Sequence, residues 1–262
     1  MLKGIKLVIF DLDGTLIDAY DAIAESFNYA MRQINSPTRS YAAIKKAVGW
    51  GDRGLLLPFV SEAKLEKALK IYQAHHKQSL FRLAHFLPGA LFILKYLKGK
   101  GYKIAVASNR PKAFTRIIVK RLNLRNFFDY ILCGDELKRA KPYPDILLKI
   151  LRKFALKKDQ AIYVGDMTID VNTGKNAGIK TLAVTTGSSS KKELADLKPF
   201  IHSRPQNRTL QGAPACPTEG RRACRTGRDR AWPLSISLQE TTGFSPRSFI
   251  LLKSVKDLVK IL

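Results

Sequence analysis

Four consecutive apolar residues, Leu7-Val8-Ile9-Phe10, run directly into Asp11-Leu12-Asp13-Gly14-Thr15. A short, β-branched run with no polar alternation predicts a strand buried on both faces, as in parallel sheets. Gly14 permits a sharp turn after it. In an open α/β sheet, ligands bind beyond the carboxyl ends of the strands. Two acids two positions apart therefore stand where a site is expected. A plain Asp-Gly turn is the other reading of the same residues, and the remainder of the chain decides between them.

The strand pattern returns in the second half. Lys103-Ile104-Ala105-Val106-Ala107 ends at Ser108-Asn109, and Tyr130-Ile131-Leu132-Cys133 follows. Ala161-Ile162-Tyr163-Val164 ends at Gly165-Asp166-Met167-Thr168-Ile169-Asp170, and Thr181-Leu182-Ala183-Val184 completes the series. Helical stretches separate these runs at about 90–100, 112–122, from the loop Arg139–Asp145 to about Phe154, and 171–177. Strands alternating with helices imply an α/β fold with a doubly wound parallel sheet.

Residues 18–84 interrupt that alternation. Apolar residues recur at helical spacing from Ile17 to about Gln33, where Asn35-Ser36-Pro37 stops the pattern. Further helices are predicted from Tyr41 to Val48 and over about 62–83, joined through a glycine-rich turn, Gly49-Trp50-Gly51-Asp52-Arg53-Gly54.

Residues 201–248 fit neither pattern. They hold eight arginines, no lysine and five of the chain's twelve prolines, without hydrophobic periodicity. Such a stretch buries little apolar area and is expected to be disordered. It reads as an insertion of different origin, with a basic nucleic-acid-binding arm as the competing reading. Beyond it, Phe249-Ile250-Leu251-Leu252 is a plausible strand, and Ser254 with Asp257 opens a helix over 255–262.

Composition narrows the class. The net charge of +25 raises a polyanion partner. The basic residues are nevertheless scattered, and no basic stretch is interleaved with aromatics, so they read as solvated surface and no nucleic-acid partner is expected. Three irregularly spaced cysteines, Cys133, Cys216 and Cys224, form neither a disulfide framework nor a zinc signature. No apolar run nears the roughly 20 residues that span a bilayer, and no signal-peptide layout precedes Asp11. A cytoplasmic protein without a membrane partner, monomeric or homodimeric, is expected.

Four elements fall at strand ends or in the loops after them: Asp11/Asp13, Ser108-Asn109, Lys141 within Lys141-Pro142-Tyr143-Pro144-Asp145, and Asp166/Asp170. Each has a plainer reading alone: a turn, a strand-end cap, a surface lysine, helix-capping acids. Together, in this order and spacing, they resemble the haloacid dehalogenase superfamily of phosphohydrolases, over about residues 5–199 and 249–262. The resemblance implies a Rossmann-like catalytic core at 1–17 and 85–200, a helical cap at 18–84, and a returning strand and helix at 249–262. It implies a Mg²⁺-dependent phosphatase, phosphoglycolate phosphatase-like, acting on a small phosphorylated substrate. Pyrophosphatase, nucleotidase and β-phosphoglucomutase-like activities are alternatives within the family, and a polyanion-binding protein is the alternative outside enzymes.

The residue roles follow from the resemblance and from phosphoryl-transfer chemistry. A phosphomonoester repels an anionic nucleophile unless its charge is offset, which a hard divalent cation does. Asp11 is the expected nucleophile and Asp13 the acid and base. Asp11, the Asp13 carbonyl and Asp166 would hold Mg²⁺, with Asp170 supporting. Ser108, Asn109 and Thr15 would meet the substrate, and Lys141 would neutralise the transferring group. In the cap turn, Arg53 would bind a substrate carboxylate or a second phosphate, with a surface arginine as the plainer reading. Trp50 would sit in the cap core, and His75, His76 and His85 are read as surface or core residues.

Overall fold

The computed structural model describes residues 4–197 and 249–262. Stretch 201–248, the insertion read from the sequence, lies outside the described residues. The elements are β1 (Leu7–Phe10), β2 (Ile17–Asp18), α1 (Tyr20–Gln33), α2 (Tyr41–Ala47), α3 (Gly51–Leu56), α4 (Glu62–Leu83), β3 (His85–Phe86), α5 (Ala90–Gly99), β4 (Lys103–Ser108), α6 (Lys112–Arg121), β5 (Tyr130–Cys133), α7 (Asp145–Phe154), β6 (Ala161–Gly165), α8 (Thr168–Ala177), β7 (Lys180–Val184), α9 (Lys191–Asp196) and β8 (Phe249–Leu252). A 3₁₀ turn, Val255–Lys260, follows β8 in place of the predicted helix. Asp257 there accepts the backbone N–H of Ser254 at 3.3 Å.

Six strands form one parallel sheet in the order β5-β4-β1-β6-β7-β8. β1 is central, and it explains the unbroken apolar run. Val8 and Phe10 pack into the cluster on one face, with Ile104, Val106, Val164 and Leu182. Leu7 and Ile9 pack on the other, with Ala105, Ala107, Tyr163 and Ile150. After β4 and β5 on one flank, the chain crosses to β6 on the other. The carboxyl end of β1 is therefore the topological switch point, where crossovers diverge and leave a crevice. β8 pairs with β7 in parallel register, from Thr181↔Phe249 to Val184↔Leu252, so the last strand completes the sheet.

Residues between β2 and β3 form a helical cap with its own core. Phe27, Met31, Ile44, Leu56, Leu65 and Tyr72 are all buried in it. The chain leaves and re-enters the sheet domain through a two-residue antiparallel ladder, Ile17↔Phe86 and Asp18↔His85. The predicted helical start at Ile17 is thus corrected, because residues 17 and 18 pair across this neck. Asp18 Oδ1 then accepts the backbone N–H of Tyr20 at 3.0 Å, which starts α1.

Candidate active site

Two glycines let the chain converge on the end of β1. Gly14 has φ +82°, and a Cβ there would lie 2.4 Å from the Tyr20 hydroxyl and 2.5 Å from Asp166 Oδ2. Only glycine suits both that backbone and that gap. A Cβ on Gly187 would lie 1.6 Å from the same carboxylate oxygen, so the loop after β7 also needs a hydrogen there.

Around these glycines four buried charges meet. Lys141 Nζ donates to Asp11 Oδ1 at 2.6 Å and to Asp170 Oδ1 at 2.7 Å. Tyr163 receives a third bond from the ammonium at 3.1 Å and donates its own hydroxyl to Asp170 Oδ1 at 2.6 Å. The other oxygen of Asp170 accepts the Met167 N–H at 3.0 Å, so this acid also caps the start of α8. Burial opposes the charge on Lys141, but Asp11 and Asp170 outweigh it and hold the ammonium pKa above its ordinary value.

The three carboxylates of Asp11, Asp166 and Asp170 present oxygens within 4.8 Å of one another, all buried. Burial, opposed by Lys141 and reinforced by Asp170 and Asp13, pushes Asp11 up to about 7. Asp166 is raised well above the usual carboxylate range by burial, then by Asp170 and Asp11. Its partners are the Thr15 hydroxyl at 3.0 Å, the Ser188 backbone N–H at 3.1 Å and the Tyr20 hydroxyl at 3.5 Å. Among the described residues no lysine or arginine pairs with it. Hard oxygen donors crowded in a dry site, one of them lacking a counter-charge, fit a divalent cation such as Mg²⁺.

A small cleft of about 50 Å³, open to solvent on one side, lies above this cluster. Asp11, Asp13, Ser108 and Lys141 line its floor, and Ile23, Asp52, Leu55 and Tyr72 of the cap line the opposite wall. Asn109 ties the two together. Its side-chain amide donates to the carbonyls of Gly49 in the cap, at 2.8 Å, and Lys141, at 3.1 Å, and its Oδ1 accepts the Lys141 N–H at 2.9 Å.

Several expected placements are corrected. Thr15 is fully buried and donates to Asp166, outside the cleft lining. Arg53 is exposed and pairs with Glu66, outside the cleft lining. The segment expected as a turn is helical from Gly51, so consecutive residues point about 100° apart. Asp52 therefore faces the cleft and Arg53 does not. Trp50 is 54% exposed rather than in the cap core.

The sequence reading missed Arg110, Tyr163 and the part played by His76. Arg110 is only 8% exposed and clamps Asp13 with two bonds, Nε to Oδ2 at 2.7 Å and Nη2 to Oδ1 at 2.8 Å. Its Nη1 lies 2.9 Å from Nε2 of His76, a fully buried residue of α4. A guanidinium only donates, so Nε2 accepts and the imidazole proton sits on Nδ1, facing Ser26 Oγ at 3.2 Å. A signal existed in Arg110's place directly after Ser108-Asn109, at a strand end. The His76 contact joins residues 34 apart and had none.

Burial and the Arg110 charge lower His76 to about 2. The unfolded chain then takes up a proton below about pH 6.5 that the folded chain refuses, so stability falls as pH falls. Between pH 6.5 and 5 this costs at most about 2 kcal/mol. Denaturant midpoints at pH 7.5 and pH 5 should therefore drop more for the wild type than for His76→Gln. Equal drops would remove His76 as the source.

The comparisons with known proteins agree with this geometry. The family model described as haloacid dehalogenase-like hydrolase matches residues 8–184. A phosphoglycolate phosphatase of Aquifex aeolicus is 31% identical over 202 residues, covering 77% of this chain and 94% of that protein. One from Vibrio cholerae is 29% identical over 208 residues, covering 76% and 92%. The crystal structure of a predicted phosphoglycolate phosphatase from Haemophilus somnus 129PT superposes with a TM-score of 0.71 at 25% identity, covering 76% and 93%. With two acids at the end of the central strand, a buried lysine, a third acid after β6 and a cap inserted between β1 and β4, the chain belongs to the haloacid dehalogenase-like hydrolases.

Proposed function

We propose that this chain is a Mg²⁺-dependent phosphatase that hydrolyses a small, phosphoglycolate-like phosphomonoester through an aspartyl-phosphate on Asp11. The observation that carries the reading is the buried contact of Lys141 with Asp11 inside a cluster of three acids, at the sheet's switch point. The names of the similar proteins point to the same substrate.

Each residue has a task that its position supports. Asp11 attacks phosphorus, and the bond to the substrate's alcohol oxygen breaks. Asp13 gives that oxygen its proton, then takes one from the water that attacks the phosphoenzyme and frees Asp11 and inorganic phosphate. Lys141 holds Asp11 in place and sets a fixed positive charge beside the transferring group. The hydroxyl of Ser108, buried at the end of β4, meets a phosphoryl oxygen. Asp11, Asp166 and the Asp13 carbonyl would hold Mg²⁺, with Asp170 alongside, and the ion would offset the charge of the phosphoryl group. Ile23, Leu55 and Tyr72 of the cap narrow the cleft and exclude water.

Purified protein with Mg²⁺, tested against 2-phosphoglycolate, pyrophosphate, sugar phosphates and nucleotides, should release phosphate fastest from 2-phosphoglycolate. Chelating the metal should cut turnover at least about 100-fold, and restoring Mg²⁺ should return it. Absence of turnover on every substrate, p-nitrophenyl phosphate included, would sink the reading. A clear preference for pyrophosphate or a nucleotide would keep the phosphatase and replace the substrate.

A further inference from the structure

The acid of the proposed reaction is held by a cation that is itself held by the cap. Both oxygens of Asp13 accept from Arg110, at 2.7 and 2.8 Å, and no other described residue bonds them. A carboxylate offers about four lone-pair sites, so the fork leaves room for the proton that Asp13 passes. The clamp is only as steady as the guanidinium, which ends a long side chain rich in rotamers.

The second anchor of that guanidinium is His76 of α4, whose Nε2 accepts from Nη1 at 2.9 Å. The imidazole is fixed in turn. Its Nδ1 donates to Ser26 Oγ at 3.2 Å, and the Ser26 hydroxyl is committed to the Ala22 carbonyl at 2.8 Å. Tyr72 stacks on the ring at 4.8 Å between centres, and Phe114 of α6 meets it edge to face at 5.1 Å. Burial and the Arg110 charge keep His76 neutral, lowered to about 2. A neutral acceptor steadies the guanidinium without competing with Asp13 for its charge, as a carboxylate in that place would.

We propose that His76 is a positioning residue for the proton transfers of Asp13: it acts through Arg110, so that a buried residue of the cap sets where an acid of the core points. The inference rests on the phosphatase reading, in which Asp13 protonates the departing oxygen. Proton transfer needs the acid within hydrogen-bond reach of the atom it serves. A misplacement of about 1 Å, made far from the chemistry, costs on the order of 100-fold.

The test turns on the leaving group. An alkoxide leaves poorly without a proton, whereas p-nitrophenolate leaves as a stable anion, so only the first depends on Asp13 as acid. Because kcat/KM is set by the steps up to that departure, hydrolysis of the phosphoenzyme drops out. The readout is kcat/KM for the alkyl phosphate that wild type turns over fastest, 2-phosphoglycolate being the one expected, divided by kcat/KM for p-nitrophenyl phosphate. Unfolded protein lowers both values equally and leaves this ratio alone. The side-chain amide of Gln reaches about as far as Nε2, and that of Asn only as far as Nδ1. His76→Asn should lower the ratio at least about tenfold, out of the roughly 10²–10⁴-fold that a general acid supplies, and His76→Gln should stay within about threefold of wild type. In an Arg110→Gln background, His76→Asn should change the ratio less than about twofold, since residues that act through one another do not add.

A smaller fall in His76→Asn, or an equal fall in His76→Gln, overturns the proposal and leaves His76 a core residue of the cap. So does an undiminished effect in the Arg110→Gln background, which would put His76 on another route. Wild type active on p-nitrophenyl phosphate alone overturns it as well, because no alkoxide is then protonated. If wild type hydrolyses no phosphomonoester at all, the phosphatase reading itself fails and this inference falls with it.

Discussion

Replacing Asp11 by Asn is expected to lower kcat on any phosphomonoester at least about 10⁴-fold while leaving a folded protein. Removing a nucleophile removes the covalent route outright, and what survives is binding and electrostatics alone. Asn has nearly the shape of Asp, and the site it occupies is 95% enclosed, so packing is preserved. The change also relieves the crowding that pushes Asp11 up to about 7. Its cost is the charge in the contact with Lys141, since the amide oxygen still accepts, and Lys141 keeps Asp170 as a partner at 2.7 Å. Intact melting with lost turnover is the expected pair of results. Turnover within tenfold of wild type would mean that another group attacks phosphorus.

Lys141→Met should damage both chemistry and stability. Methionine is apolar and roughly as long, so the loss isolates the charge. Without the ammonium, Asp11 and Asp170 face each other in a dry site, and Tyr163 loses the donor at 3.1 Å. Breaking a buried pair by removing one partner typically costs about 3–5 kcal/mol. The kcat loss should reach about 10²–10³-fold, the scale of one lost electrostatic contact at a reacting centre. Denaturant midpoints and initial rates measure the two effects separately. A stable variant with near wild-type kcat would show that Lys141 is an ordinary buried lysine.

Much of the fold could be read from local pattern because the sheet is parallel. A strand covered on both faces must be apolar throughout, and β1, β4 and β6 stand out for that reason. The neck could not be read that way. Ile17 and Asp18 form a strand only because Phe86 and His85 lie opposite, and two residues carry no periodicity. The glycine-rich segment misled in the other direction. Gly51 and Gly54 argue against a helix locally, yet Leu55 and Leu56 gain burial in the cap core if one forms. Tertiary packing outweighed propensity there.

The site divides along the same line. Asp11, Asp13, Ser108, Lys141, Asp166 and Asp170 were singled out by the family resemblance, and the fold brings them together around the carboxyl end of β1. Thr15 was assigned to substrate from the motif it closes and Arg53 from its place in the cap turn, and neither says where a side chain points once the backbone turns. Thr15 supports Asp166 instead, and Arg53 faces solvent with Glu66.

By itself, then, the sequence determined the parallel α/β architecture, since that depends on apolar runs alternating with helical spacing; the cap and the acids with their lysine rested on the family resemblance. The tertiary structure alone decided which cation clamps Asp13. Arg110, His76 and Asp13 lie 34 and 97 residues apart along the chain in their bonded pairs. No local pattern encodes such a contact. It exists because the sheet's switch point and the cap wall close on the same few ångströms, where a buried guanidinium must find acceptors.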